Sequence, residues 1–279
     1  MPELAPRDDP APMCAAPQSR CEAARWDDAG LHPAADVVLE EVPVAMVYNG
    51  ISHAVMLASP ADLEDFAVGF SLTEGVVQSA AEIRDIEAVP CCDGIELQLA
   101  IAAGRMAELK LRRRALAGRT GCGLCGVESL QHAVRPATRV PATGARISAD
   151  ALQRAFRCLA QEQVLHRATG AAHAAGFATW AGELMLVRED VGRHNALDKL
   201  VGAMCAQGLR GEDGIALITS RASYEMVHKA AAAHIGLLAA LSAPTGLAIR
   251  AAAESGLTLA GFAGRPGRRV YTSPERCAS

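Results

Sequence analysis

Residues Ile215 to Leu241 read IALITSRASYEMVHKAAAAHIGLLAAL, and their order indicates the class of fold. An apolar strand (Ile215 to Thr219) is followed by a helix (Ser223 to His234) and by a second apolar strand (Ile235 to Leu241). Strands that alternate with helices in this way are typical of a layered sheet with helices on its faces. This part of the chain is therefore predicted to have an α/β fold.

The same alternation continues on both sides of this run. Further helices and strands are predicted at Ala171 to Trp180, Leu184 to Arg188, Asn195 to Cys205, Pro244 to Glu254, Leu257 to Phe262 and Arg269 to Tyr271. Residues 145–279 are therefore expected to form one C-terminal domain with a layered α/β sheet.

The first half of the chain predicts a smaller α/β domain over residues 34–135. Asn49-Gly50 marks a hairpin, because both residues accept the positive φ of a tight turn. Ser59 is expected to cap a helix. Residues 1–33 are rich in Pro, Ala and Asp and are expected to be a disordered extension. Residues 136–144 are expected to be a linker between the domains.

Composition limits the classes of function. The chain has 279 residues, a formal net charge of −4 and 51% hydrophobic residues, so neither nucleic acid nor a membrane is an expected partner. No apolar run reaches the ~18 residues of a membrane span, and no secretory signal is recognised. The nine cysteines are an odd number and are expected to be reduced. The expected compartment is the cytoplasm.

The segment Arg119 to Gly126 reads RTGCGLCG and is the main candidate for chemistry. Three glycines around Cys122 and Cys125 lower the steric barriers of the backbone and favour a mobile loop. A helix expected after Cys125, and the arginines that precede the loop, would favour a thiolate. Because the thiolate is the reactive form, the segment predicts a nucleophile that handles sulfur.

Three other interpretations of this segment remain open. A structural zinc site needs a second pair of ligands, and the adjacent Cys91 and Cys92 are poorly spaced for that role. A thioredoxin-like redox pair needs a strand before the motif, which the basic, Gly-rich approach to Cys122 does not resemble. The remaining alternative is a flexible loop with two incidental cysteines. Cys158 and Cys205 are expected to be small core residues.

Three polar segments follow predicted strands of the C-terminal domain: Arg188 to Asn195, Thr219 to Ser223, and Phe262 to Arg269. Open α/β sheets bind ligands beyond the carboxyl ends of their strands, where helix N-termini favour phosphate. We therefore predict a phosphate or nucleotide site there. The candidate residues in the first two segments are Arg193, His194, Arg221 and Ser223. The helical residues Asp198, Lys199, His228 and Lys229 are expected on exposed, salt-bridged faces.

Three motifs resemble those of the formate dehydrogenase accessory sulfurtransferases, a family of sulfur carriers. They are Arg119 to Gly126, Glu189 to Lys199 and Thr219 to Glu225, and the resemblance runs from about Val42 to Pro274. It implies that a cysteine desulfurase supplies sulfur, which is delivered to Mo-bis(molybdopterin guanine dinucleotide) before this cofactor enters formate dehydrogenase. It also implies a sulfurtransferase activity, a homodimer and no permanently bound metal.

The resemblance also assigns residues. Cys122 matches the persulfide carrier of the family and Cys125 matches its second cysteine. The family's cofactor-binding stretch falls on six residues, which are Phe262, Ala263, Gly264, Arg265, Pro266 and Gly267. The family usually has an Arg-Gly order after the aromatic residue, whereas this chain reads Gly264-Arg265-Pro266. The arginine contact is therefore expected to be displaced by one position.

The family's C-terminal domain resembles the cytidine deaminase fold. Two alternative functions remain open. One is a zinc-dependent, deaminase-like enzyme, whose chemistry requires His-x-Glu and Pro-Cys-x-x-Cys motifs. None of the eight histidines is followed by Glu two places on, and no Pro precedes Cys122. The chain is therefore expected to have the cytidine deaminase fold but not to catalyse deamination. The other alternative is a chaperone that binds the cofactor without transferring sulfur.

Overall fold

The structure is a computed structural model and describes residues 16–117, 137–264 and 267–278. Its strands form three sheets, of two, four and six strands. Helices pack on the two larger sheets, so the predicted α/β class is confirmed. No helix in these three ranges has the length and apolar character needed to cross a bilayer.

The four-stranded sheet and two helices form the N-terminal unit. Its elements are β3 (Val42–Tyr48), β4 (Ile51–Ala58), α1 (Leu63–Thr73), β5 (Ile83–Cys91), β6 (Gly94–Ile101) and α2 (Ala103–Ala117). The strand order is β4-β3-β6-β5, with β3 parallel to β6. Asn49 and Gly50 have φ values of 46° and 79°, which confirms the hairpin turn between β3 and β4. Apolar side chains of the sheet, α1 and α2 share one core.

Helix α1 begins later than its sequence predicts. The expected cap, Ser59, is fully buried and lies four residues before the first helical residue, Leu63. Its hydroxyl accepts a hydrogen bond from the N–H of Val191, and its carbonyl accepts one from Lys199 Nζ. Ser59 therefore joins the N-terminal unit to the six-stranded sheet instead of capping α1. The residue before the helix is Asp62, at φ 51°.

The prediction of a disordered extension over residues 1–33 is wrong for residues 18–33. The strands β1 (Gln18–Asp27) and β2 (Gly30–Leu39) pair antiparallel as a hairpin. The turn is stabilised locally, because the Asp27 carboxylate accepts a hydrogen bond from the N–H of Ala29 and Gly30 has a φ of 115°. Its side chains are mostly exposed. The low hydrophobicity therefore reflects a solvated hairpin rather than missing structure.

The C-terminal unit is built on the six-stranded sheet. Its helices are α3 (Ala149–Glu162), α4 (Val164–Thr169), α5 (Arg193–Ala206), α6 (Tyr224–Ala232) and α7 (Gly246–Ser255). Its strands are β7 (His173–Thr179), β8 (Leu184–Asp190), β9 (Gly214–Ile218), β10 (Leu237–Ala240), β11 (Thr258–Gly261) and β12 (Arg269–Val270). The predicted alternation of strands and helices is confirmed. Helix α4 was not predicted from the sequence.

Helices cover both faces of this sheet. The strand order is β12-β11-β10-β9-β7-β8. Helices α5, α6 and α7 share one core with the sheet, and α3 shares another with its opposite face. The boundaries proposed for the two domains and their linker, and the likeness to cytidine deaminases, stay predictions.

The two units meet where α1 crosses α5 at a pair of glycines. A Cβ added to Gly69 would collide with the carbonyl oxygen of Asp198, and one added to Gly202 would collide with that of Asp65. The two backbones are thus in direct contact, which only glycine permits at these positions. The close crossing brings polar residues at the end of α1 next to polar residues of α5.

Replacing Gly69 by Ala should lower the free energy of unfolding by about 3 kcal/mol, because the new methyl group forces the two helices apart. Urea denaturation followed by circular dichroism measures this change. The matched control is Gly104→Ala in α2, where an added Cβ meets nothing within 4 Å. The control should change stability by less than about 1 kcal/mol. Equal stability of the two variants would contradict direct contact between the backbones of α1 and α5.

Candidate functional site

The polar segments predicted from the sequence meet at one edge of the six-stranded sheet. Strands β9, β10 and β11 are parallel, and β8 runs in the same direction because antiparallel β7 separates it from β9. Their carboxyl ends therefore lie along one edge of the sheet, which we call the polar edge. The segments that follow β8, β9 and β11 there are 192–194, 219–223 and 262–264. Four strand spacings separate β8 from β11, which is ~19 Å.

Asp190, at the end of β8, has a structural role. Its buried carboxylate accepts hydrogen bonds from the N–H groups of Ser59 (2.9 Å) and Gly192 (2.7 Å) and from Asn195 Nδ2 (3.0 Å). Lys199 Nζ lies 2.7 Å from the same carboxylate, and neither side chain is exposed to solvent. Asp190 therefore fixes the start of α5 against the N-terminal unit.

Other charged residues of the segment Glu189 to Lys199 are also structural. Glu189 accepts hydrogen bonds from the N–H groups of Leu165 and His166 at the start of α4. Asp198 accepts hydrogen bonds from Thr73 Oγ1 (2.6 Å) and Lys229 Nζ (2.9 Å). Most of this charged segment therefore orders the fold rather than facing a ligand.

The prediction that Asp198, Lys199 and Lys229 lie on exposed faces is wrong, because the residues are 1%, 0% and 5% exposed. The helices that carry them pack against α1, whose end supplies Thr73 and Glu74 as partners. Burial raises the pKa of the Asp198 carboxyl, although Lys229 opposes this. Burial acts to lower the pKa of Lys229, but Asp198 and Glu74 outweigh it and the pKa is raised.

Arg193 and His194, in the first turn of α5, differ from these structural residues. The Nε of Arg193 is buried without a hydrogen-bond partner in the described parts of the chain. His194 Nε2 lies 2.6 Å from Glu225 Oε2, but the pair lacks the geometry of a hydrogen bond. Burial lowers the pKa of His194, and the Glu225 carboxylate opposes this shift. Arg193 Nε therefore retains a donor for a ligand, whereas His194 Nε2 already faces the Glu225 carboxylate.

Ser223 supplies a further donor at the start of α6. Its Oγ is buried and, in residues 16–117, 137–264 and 267–278, has no hydrogen-bond partner. Neither α5 nor α6 is capped by the side chain of its N-cap residue, so both present backbone N–H groups and positive dipole ends. The exposed Arg221 lies in the same loop. Buried donors without partners at two helix N-termini have the chemistry that suits a phosphate.

The third predicted segment begins with a turn at Phe262 to Gly264, directly after β11. Phe262 has a φ of 54°, an uncommon conformation for a bulky residue, and the Arg269 guanidinium lies 5.6 Å from its ring centroid. Ala263 is fully buried, and its N–H donates to the carbonyl of Ala240. A Cβ on Gly264 would collide with the side chain of Leu241.

These contacts divide the candidates of this loop into two groups. Ala263 is buried and Gly264 has no side chain, which leaves Phe262 as the described candidate whose side chain can face a ligand. Gly267 has a φ of 82°, which favours glycine. The predicted Arg265 and Pro266 lie outside the described residues.

Two residues of the polar edge were not predicted from the sequence. His173 opens β7, between the ends of β8 and β9, and its Cα pairs with that of Asp190. Burial lowers its pKa, and Arg193 adds to this effect. Glu225 was missed as the partner of His194. The antiparallel insertion of β7, which brings His173 to the edge, has no signature in the sequence around it.

The predicted nucleophile, Cys122, and its neighbour Cys125 lie outside the described residues. The described chain resumes at Ala137, which lines a small cavity with Tyr224 and His228 of α6. The chain after the cysteine segment therefore returns beside the helix whose first turn forms part of the polar edge.

The described cysteines are free, and the expectation that Cys158 and Cys205 are core residues is wrong, because both are exposed. No three His, Cys, Asp or Glu side chains are grouped for metal binding within the described ranges. These ranges do not include Cys122 and Cys125, so the zinc alternative for the cysteine segment is not decided by them.

Comparison with known proteins identifies the family. Residues 39–278 match the model of the FdhD/NarQ family. The chain belongs to this family. The sulfur carrier protein FdhD of Bordetella petrii is 55% identical over 241 residues, which cover 86% of each chain. That of Cupriavidus necator is 54% identical over 252 residues, or 90% of this chain and 87% of the relative.

The fold is shared with a solved structure of lower sequence identity. A crystal structure described as a formate dehydrogenase accessory protein from Desulfotalea psychrophila has a TM-score of 0.74 and 22% sequence identity. The match covers 94% of this chain and 100% of the other. The family resemblance inferred from the motifs is therefore confirmed, and the α/β fold agrees with that of a solved structure.

Replacing Lys199 by Met should lower the free energy of unfolding by about 3–5 kcal/mol, because it leaves the buried Asp190 carboxylate without its cation. Thermal and urea unfolding measure the loss. Lys110→Met, at an exposed position of α2, is the matched control and should change stability by less than about 0.5 kcal/mol. A Lys199→Met protein as stable as this control would show that the buried pair does not stabilise the FdhD/NarQ fold.

Proposed function

We propose that this protein is a cytoplasmic sulfur carrier that serves formate dehydrogenase. In this proposal Cys122 holds a persulfide, and its substrate is Mo-bis(molybdopterin guanine dinucleotide) bound at the polar edge. Two facts support it. Curated relatives that are more than half identical to the chain are named sulfur carrier proteins. In addition, the unpartnered donors of Arg193 and Ser223 meet at two uncapped helix N-termini.

Loading is a transfer of sulfur between two thiols. The thiolate of Cys122 attacks the outer sulfur of the desulfurase persulfide, so that a new S–S bond forms at Cys122 and the desulfurase thiolate leaves. The step needs no outside oxidant or reductant. The arginines that precede Cys122 favour its thiolate form, and the surrounding glycines let the loop move between partners.

Binding of the substrate is assigned to the polar edge. The phosphates would be held by Arg193, Arg221, Ser223 and His194, since each offers a donor beside a helix N-terminus. The segment Phe262 to Gly267 would contact the guanine end. When the substrate is bound, its molybdenum is the acceptor for the sulfur. The homodimer and the partnership with a cysteine desulfurase stay predictions.

Cys125 has two proposed roles that leave different products. It either attacks the inner sulfur of the persulfide, which releases sulfide and leaves a Cys122–Cys125 disulfide, or it supports the loop electrostatically without forming a bond. A disulfide found after turnover distinguishes the first role from the second.

Replacing Cys122 by Ala should abolish sulfur loading, because no other thiol would carry the persulfide. Incubation with a desulfurase and radioactive cysteine, followed by measurement of label on the protein, checks this. Cys158→Ala removes an exposed thiol from α3 and should load like the unchanged protein. Label on the Cys122→Ala protein would refute the assignment. Rescue of formate dehydrogenase activity by that variant would favour the chaperone alternative.

Replacing Arg193 by Ala should weaken the binding of GDP, used as a probe of the substrate's nucleotide ends, by about tenfold. One charge-assisted hydrogen bond to phosphate is worth roughly that much. Isothermal titration calorimetry measures the affinity. Arg157→Ala, at an exposed position on α3 and on the opposite face of the sheet from α5, is the matched control. Equal GDP affinity of the two variants would remove Arg193 from the site.

A further inference from the structure

One carboxylate lies among the donors of the polar edge. Glu225 is the second residue of α6, as His194 is the second residue of α5, and their side chains bring the two helix N-termini into contact. Two of the nearby donors, Arg193 Nε and Ser223 Oγ, have no partner in the described parts of the chain. Glu225 is thus an anion of the protein itself at the place where a phosphate is expected.

The contact between Glu225 and His194 is a partly exposed ion pair without a hydrogen bond. The carboxylate and imidazole atoms are 2.6 Å apart but lack the geometry of a hydrogen bond. The Glu225 side chain is 61% exposed, whereas that of His194 is 29% exposed. A carboxylate so exposed can leave the imidazole and enter water at little cost of solvation, and exposed ion pairs are individually weak.

The charges around His194 further weaken its hold on the carboxylate. Arg193 on α5 and Lys229 on α6 disfavour the imidazolium, while Glu225 on α6 and Glu74 after α1 favour it. Burial of the ring is the larger effect and lowers the pKa of His194. The lowered pKa favours the neutral ring, which attracts a carboxylate less than an imidazolium does.

We propose that Glu225 is a specificity-determining residue that a phosphate group must displace. In the free protein its carboxylate faces His194 and partly neutralises the polar edge. A multiply charged diphosphate attracts both helix N-termini and Arg193 more strongly, and so displaces Glu225. A monophosphate, which carries less charge, gains less from these groups and displaces Glu225 less readily. This inference rests on the proposed function, since it takes the polar edge as the phosphate site.

Two other roles for Glu225 predict different results. If the carboxylate held His194 in position for the ligand, its removal would weaken binding of a phosphate. If it acted only through the overall charge of the protein, an acidic residue at the same position of another helix would have the same effect on binding. Glu64 is the second residue of α1, is exposed, and provides that comparison.

The test measures GDP binding to the full chain by calorimetry for the unchanged protein, Glu225→Gln, Glu225→Ala and Glu64→Gln. Both Glu225 variants should bind GDP about fivefold more tightly, since a nearby like charge and a weak competing ion pair are removed. GMP should gain at least as much as GDP, because it carries less charge with which to displace the carboxylate. Glu64→Gln should bind both nucleotides within about twofold of the unchanged protein.

The outcomes separate this inference from the proposed function. If the unchanged protein binds GDP and the Glu225 variants bind it equally or more weakly, the inference is overturned and the phosphate site stands. A gain of the same size in Glu64→Gln also overturns it, since the effect would then be one of overall charge. If no protein in the series binds either nucleotide, the phosphate site and the inference both fail.

Discussion

The buried pair of Asp190 and Lys199 holds the two units of the molecule together. The Asp190 carboxylate accepts hydrogen bonds from the N-terminal unit, from the residue before α5 and from α5 itself. Lys199 lies against the same carboxylate and also donates a hydrogen bond to the carbonyl of Ser59. A charge buried this completely is tolerated only when its partners are fixed. The position of the α5 N-terminus, and with it that of Arg193 and His194, follows from this pair.

The sequence predicted the order of strands and helices in the C-terminal unit, because apolar runs and capping residues are local signals. It did not predict the burial of Asp198, Lys199 and Lys229. Each of the three also has a partner more than a hundred residues away along the chain, as Asp198 has in Thr73, so spacing within a helix suggested a solvated face. The β1–β2 hairpin was missed for a related reason, since composition does not register cross-strand pairing.

The candidate site shows the same limit. Arg193, His194, Arg221 and Ser223 were predicted to lie together because carboxyl ends of parallel strands share an edge, and the sheet topology confirms that placement. Sequence did not distinguish the charged residues that order the fold, such as Asp190, from those whose donors remain open, such as Arg193. That distinction depends on hydrogen bonds between distant segments. The part of the site that contains Cys122 lies outside the described residues and rests on its motif and its family.

The proposed function requires that one thiol, that of Cys122, carries the transferred sulfur. Mass spectrometry of the purified protein, after incubation with a desulfurase and cysteine and then digestion, tests it most directly. We expect one added sulfur atom on the peptide that contains Cys122, removable by a reducing agent. An unmodified Cys122 peptide, with the added sulfur on another cysteine or on none, would contradict it.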